Sequence, residues 1–180
     1  VEVQGERLGG EWSLRIPGSF NVLNALAAAA ASFAAGVHLD KIQKTLAQFT
    51  GIWRRFEKVG VMPGVGAHVV ADYGHHPTAV RATVTAAREH FPGHRIVLVY
   101  QPHQHNRTKK LFDGFVDALG TPDVLILSEI YDVAGREEGE DQDVTSIDIV
   151  EAIQKRQAAS VEAWGPKIVV YAAGVHEAEE

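Results

Sequence analysis

The sequence predicts an α/β fold built on a mostly parallel sheet with flanking helices. Three observations carry that expectation. The apolar runs Ile96 to Tyr100, Val124 to Leu127 and Ile168 to Ala172 read as strands, and uninterrupted apolar strands are typical of sheets covered on both faces. Segments of helical periodicity lie between them, which implies parallel strands joined by right-handed crossovers. An earlier strand, ending Val69-Val70-Ala71, runs directly into Asp72-Tyr73-Gly74-His75-His76-Pro77. That arrangement delivers polar groups to the carboxyl edge of a sheet, where open α/β folds bind ligands.

Taken in order, Val1 to Val3 and Trp12 to Ile16 read as two strands of a hairpin, broken by Pro17-Gly18. A helix is expected from about Asn21 to Ala35, rich in alanine and stopped by Gly36. Asp40 opens a second, Lys41 to Phe49, with Ile42, Leu46 and Phe49 at helical spacing. These first fifty residues show no core of their own. Phe56 to Val61 and His68 to Ala71 are strands flanking a Pro63-Gly64 turn. Pro77 starts a helix, where its missing N–H costs nothing, and that helix runs to about Phe91. Leu111, Phe112, Phe115, Val116 and Leu119 form a helical stripe. Tyr131 to Asp143 is an acidic loop, Ile147 to Ile153 is helical, and Val175 to Glu180 begins another helix.

The composition is that of a globular protein, with 46% hydrophobic and 22% charged residues over 180 positions. A net charge of -6 argues against a nucleic-acid or anionic-membrane surface. Cysteine is absent, which excludes disulfides and thiolate metal sites and permits a cytoplasmic location. The apolar run Val22 to Ala35 is too short for a membrane span of about 20 residues.

Two polar clusters follow strands: Asp72 to Pro77, and Gln101-Pro102-His103-Gln104-His105-Asn106-Arg107-Thr108. Imidazole and carboxylate suit zinc or iron, but the histidine spacing matches no helical ligand pattern and no third cluster closes the coordination; no metal ligand is assigned. Anion and nucleotide recognition fits better. Arg107 at a helix start suits a carboxylate or phosphate. Asp72 at a strand end suits a ribose hydroxyl or a metal-bound water, or simply a turn. Asn21 and Asn24 share a helix face and can read an adenine edge, although Asn21 also reads as an N-cap. Arg54-Arg55 can clamp phosphates or be a solvated pair. No GxxxxGK[ST], GxGxxG or GxSxG segment is present.

Four segments in this order, Asn21-Val22-Leu23-Asn24, Arg54-Arg55-Phe56-Glu57, Asp72-Tyr73-Gly74-His75-His76-Pro77-Thr78 and Gln101-Pro102-His103 with Arg107-Thr108, resemble the Mur ligases. The closest likeness is to the branch that adds L-alanine to UDP-N-acetylmuramate. The resemblance implies an ATP-dependent amide-forming ligase of peptidoglycan synthesis, acting in the cytoplasm. It implies residues 1–53 as the end of a central ATP-binding domain and residues 54–180 as a Rossmann-like C-terminal domain, truncated before its last strand. ATP and magnesium would be held mainly by a central-domain region with a P-loop that this sequence does not contain, so the chain alone is expected to be inactive and no catalytic residue is assigned within it.

The resemblance places Asn21 and Asn24 at the adenine, Arg55 toward phosphate, Asp72 toward ribose, and Tyr73 and His75 on the loop lining the nucleotide and the acceptor amine. His103 and Arg107 fall where the alanine carboxylate would be held. Phe20 stands where the family commonly has histidine, and Gln104 where many members have arginine. Two alternatives remain: a ligase that recycles a tripeptide onto the same nucleotide sugar, and a non-catalytic nucleotide- or amino-acid-binding module.

Overall fold

The computed structural model describes residues 2–3, 6–7, 11–131, 143–160 and 163–174. The expected acidic loop between Tyr131 and Asp143 and the expected helix from Val175 lie largely or wholly outside them. The chain forms two compact units, Val1–Tyr73 and Gly74–Glu180.

In the N-terminal unit, β1 (Glu2–Val3) pairs antiparallel with β2 (Glu6–Arg7), opposing Glu2 to Arg7 and Val3 to Glu6. The expected partner strand at Trp12 to Ile16 does not form. A partner two residues away closes a tight hairpin with far less loop to order. Helix α1 (Ser19–Ala34) begins two residues before the expected start, with Gly18 at its N-cap, so Asn21 is not the cap. Asn21 N–H donates instead to the Gly18 carbonyl at 3.0 Å. The helix stops at Gly36, whose φ of 86° is the left-handed geometry glycine adopts without strain. Helix α2 (Leu39–Gln48) follows with Ile42 buried. Strands β3 (Glu57–Val61) and β4 (His68–Ala71) form where expected but, among the described residues, pair only with each other, antiparallel, with an irregularity between Lys58 and Gly60, so Asp72 follows a hairpin strand and not a strand of the parallel sheet. Its aliphatic side chains Val59, Val61, Val65 and Val69 are exposed.

The C-terminal unit carries the alternating pattern: α3 (Pro77–His90), β5 (Val97–Tyr100), α4 (His105–Lys110), α5 (Phe112–Leu119), β6 (Val124–Ser128), α6 (Ser146–Ala159) and β7 (Ile168–Ala172). The three strands form a parallel sheet in the order β5-β6-β7, with Val99 beside Ile126 and Ile126 beside Val170. The core lies on one face, where Leu125 and Leu127 pack with Phe115, Leu119, Ile149 and Ile153, all without solvent exposure. Helix α6 starts on a capping box: the Thr145 hydroxyl accepts from Asp148 N–H at 3.3 Å, and the Asp148 carboxylate accepts from Thr145 N–H at 2.7 Å.

Two further expectations are corrected in the C-terminal unit. Leu111 does not continue one helix; it separates α4 from α5. The apolar strands are not covered on both faces by the described residues. Alternation puts Val97, Val99, Ile168 and Val170 on the face away from the core, with Val99 57% and Ile168 51% exposed.

Candidate functional site

In the N-terminal unit the structure brings Arg54-Arg55-Phe56 against Asp72-Tyr73. Phe56 N–H donates to Asp72 Oδ2 at 2.9 Å, and Tyr73 N–H donates to the Arg54 carbonyl at 2.8 Å. Arg54 N–H donates to Glu57 Oε2 at 2.9 Å. These bonds hold a turn in which Arg54 (φ 55°) and Phe56 (φ 46°) both occupy the left-handed region, rarely adopted by side chains other than glycine, asparagine and aspartate. The Phe56 ring is buried, 4% exposed, and anchors the turn. The Arg54 guanidinium lies over two aromatic rings, 5.1 Å from the Trp53 centroid and 5.3 Å from that of Tyr73. The arrangement leaves Arg55, between the two left-handed residues, exposed.

Asn21 and Asn24 lie on one face of α1, as their spacing predicts, and Asn24 Nδ2 donates to Asn21 Oδ1 at 3.3 Å. Asn21 Nδ2 reaches back to the Pro17 carbonyl at 2.7 Å. A fixed amide pair with Asn24 exposed can still present donor and acceptor groups to a base edge.

In the C-terminal unit, His75 is half-buried just before α3. His76 caps that helix, its Nδ1 accepting from Thr78 N–H at 3.2 Å. Gly114 lets α5 approach the same helix start, where an added Cβ would meet Pro77 Cγ at 3.3 Å.

The second cluster leaves β5 at the carboxyl edge. Tyr131 N–H donates to the Pro102 carbonyl at 2.8 Å and Gln104 N–H to the Tyr131 carbonyl at 3.1 Å, tying this turn to the segment after β6. His103 and Tyr131 face each other with ring centroids 5.3 Å apart. Gln104 takes φ 68° and precedes α4, whose third residue is Arg107. Buried Thr108 fixes the helix to the turn, its hydroxyl donating to the Gln104 carbonyl at 3.0 Å. Helix α4 has only six residues, so its dipole adds little and Arg107 must act mainly through its own charge. The hydroxyl of buried Tyr100 has no hydrogen-bond partner among the described residues. Burial raises its pKa far above the ordinary value, against the opposing charge of Arg107.

Sequence reasoning missed Glu129, which follows β6 at the same edge. Its Oε1 accepts from Ile130 N–H at 2.8 Å and Ser146 N–H at 3.2 Å, and its Oε2 accepts from Tyr171 O–H at 2.8 Å. Gln101 Nε2 donates to the Glu129 carbonyl at 3.2 Å. Burial pushes this carboxyl up, but the bonds from Ile130, Tyr171 and Ser146 and the His105 charge outweigh it and hold it below the usual range. The available signal was position alone: an acidic residue directly after a buried parallel strand.

Among the described residues no three His, Asp or Glu side chains are grouped to hold a metal ion. His105 Nδ1 lies 2.7 Å from the Val144 carbonyl. At the amino ends of the strands, Asp123 accepts from Ile96 N–H at 2.8 Å and pairs with Arg88 at 3.1 Å. This edge has a structural occupation.

The family profile described as Mur ligase, glutamate ligase domain, matches residues 54–179. The UDP-N-acetylmuramate–L-alanine ligase of Burkholderia ambifaria is 49% identical over 121 residues, covering 66% of this chain and 26% of that protein. The ligase of the same name from Sorangium cellulosum is 48% identical over 130 residues, 71% of this chain and 27% of that protein. The chain thus spans about a quarter of the length of the curated relatives it matches.

Among solved structures, the UDP-N-acetylmuramate-alanine ligase of Thermotoga maritima shares the fold at a TM-score of 0.64 and 24% identity, over 98% of this chain and 40% of its own. The murein peptide ligase of Psychrobacter arcticus aligns at a TM-score of 0.51 and 27% identity, over 93% of this chain and 36% of its own. With a profile match across more than half of its residues, the chain belongs to the Mur ligase family.

Proposed function

We propose that the chain is part of an ATP-dependent ligase that joins L-alanine to UDP-N-acetylmuramate in cytoplasmic peptidoglycan synthesis. The observation that carries this is the 49% identity to a UDP-N-acetylmuramate–L-alanine ligase over 121 residues. In this reading residues 1–53 belong to the central ATP-binding domain and residues 54–180 to the C-terminal domain. A carboxylate oxygen of the nucleotide sugar attacks the γ-phosphorus of ATP and ADP leaves. The alanine amine then attacks the acyl carbon, and phosphate departs as the amide forms.

The chain's own residues bind and orient. Asn21 and Asn24 meet adenine, Arg55 meets phosphate and Asp72 meets ribose. Tyr73 and His75 line the nucleotide and amine region. His103 and Arg107 hold the alanine carboxylate, on a turn tied to Tyr131 and braced by Thr108. Catalysis of this kind rests on positioning and charge neutralisation. In this reading magnesium is held mainly by the rest of the central domain.

The 180-residue chain, lacking a GxxxxGK[ST] segment, is expected to release no ADP with UDP-N-acetylmuramate, alanine and magnesium; turnover by the isolated chain would overturn that assignment. The likeness to the murein peptide ligase keeps a tripeptide acceptor as the second reading. Comparing alanine with tripeptide as acceptor in the complete ligase decides between them. A clear preference for tripeptide would sink the first.

A further inference from the structure

We propose that Asp72 is a positioning residue acting through Arg55: by accepting the Phe56 N–H, it holds the strained Arg54–Phe56 turn that presents the Arg55 guanidinium. This rests on the proposed reading of Arg55 as a phosphate contact, and it adds to Asp72 a task distinct from any ribose contact. Three observations within the N-terminal unit support it. Arg54 and Phe56, on either side of Arg55, both have positive φ, so the turn needs external bonds to persist. Asp72 Oδ2 supplies one at 2.9 Å, and the next residue supplies another, Tyr73 N–H to the Arg54 carbonyl at 2.8 Å. Neighbouring groups fix the turn's other side chains: Phe56 is buried and Arg54 is stacked over Trp53 and Tyr73. Arg55 therefore inherits its direction from the backbone, and the Asp72 bond sets the backbone at the peptide immediately after it.

The chemistry separates this task from a nucleotide contact. A backbone amide needs only an acceptor oxygen, which asparagine retains and alanine lacks. A contact made only to ribose binds ground and transition states alike, and its loss raises KM for ATP with little change in kcat. Misdirecting a cation aimed at transferring phosphate lowers kcat instead.

The test uses the complete ligase carrying Arg55→Ala, Asp72→Ala, Asp72→Asn and the Arg55→Ala/Asp72→Ala double substitution. Arg55→Ala is expected to lower kcat by about 100-fold and Asp72→Ala by about tenfold or more. The double variant is expected to be no worse than Arg55→Ala alone, because one residue acts through the other. Asp72→Asn is expected to recover most of the loss seen with alanine.

Multiplicative effects in the double variant, an Asp72→Ala effect confined to KM, or an Asn variant as impaired as the Ala variant would each overturn the proposal while leaving the reading of Arg55 intact. An unaffected Arg55→Ala enzyme would overturn that reading and the proposal with it. Should Asp72→Ala fail to fold, hydrogen exchange decides. The Phe56 amide should be protected in the wild type and the Asn variant, and an unprotected wild-type amide refutes the latch.

Discussion

Two turns, one in each unit, carry residues proposed to bind substrate, and they are held by different means. Around Arg54–Phe56 the support is local: the Asp72 and Glu57 carboxylates, backbone bonds from Tyr73 to Arg54 and from Arg55 to Ile52, the buried Phe56 ring, and a hairpin whose valines face solvent. Around Gln101–Thr108 the support comes from a parallel sheet. Backbone bonds to Tyr131 cross to the next strand's end, and Glu129 gathers Ile130, the start of α6 and Tyr171 of β7 onto one side chain. The first turn rests on bonds within its own hairpin and the residues beside it. The second moves only if the sheet edge moves. A phosphate contact that must adjust during a reaction suits the former, and a clamp that discriminates a small amino acid suits the latter.

Four substitutions probe that contrast, in order of expected effect. Phe115→Ala empties the centre of the C-terminal core and is expected to cost about 3–5 kcal/mol in denaturant unfolding. A cost below about 1 kcal/mol would mean that this core does not brace the second turn.

Glu129→Gln is next, at about 1–2 kcal/mol, since a charged acceptor serving three donors becomes a neutral one. Its pH dependence has a definite sign. The folded carboxyl titrates below the unfolded one, so its contribution is fully present above the ordinary glutamate value and is lost as pH falls through the folded value. The stability gap between wild type and Glu129→Gln should be constant above pH of about 5 and narrow below about 4. A gap that widens in acid would reverse the assignment.

Tyr100→Phe removes a buried hydroxyl with no partner among the described residues, and is expected to leave stability unchanged or raise it by about 1 kcal/mol. A loss of more than that would reveal a bond at this hydroxyl. Val65→Thr at the exposed hairpin tip is expected to stay within about 0.5 kcal/mol of wild type. A larger effect would place the hairpin in a packed interface and erase the contrast between the two turns.

The parallel strands were legible in the sequence because their apolar residues run unbroken, on the exposed face as well as the buried one: Val124 to Leu127 and Ile168 to Ala172 were located to within a residue. Helix α3 was legible because proline marks its start. The residues of the two turns were legible only through resemblance, and their geometry was not legible at all. Positive φ at Arg54 and Phe56 leaves no compositional mark, since glycine, the residue that signals it, is absent there. Glu129 was invisible for another reason. Two of its partners, Ser146 and Tyr171, lie far along the chain, and only the parallel register brings those strand ends together. The hairpin partner of β1 was misplaced because Trp12 to Ile16 alternates convincingly, while a two-residue strand gives no periodic signal.

The aliphatic row on the far side of the sheet has a practical consequence. Val97, Val99, Ile168 and Val170 form an exposed aliphatic strip among the described residues. A solvatochromic dye such as anilinonaphthalene sulfonate should brighten on this folded chain without any loosening of its interior. Dye fluorescence therefore cannot serve as a sign of a molten state here. The near-ultraviolet circular dichroism of Tyr100 and Trp164, which pack in and against the core, is the sounder criterion of native order.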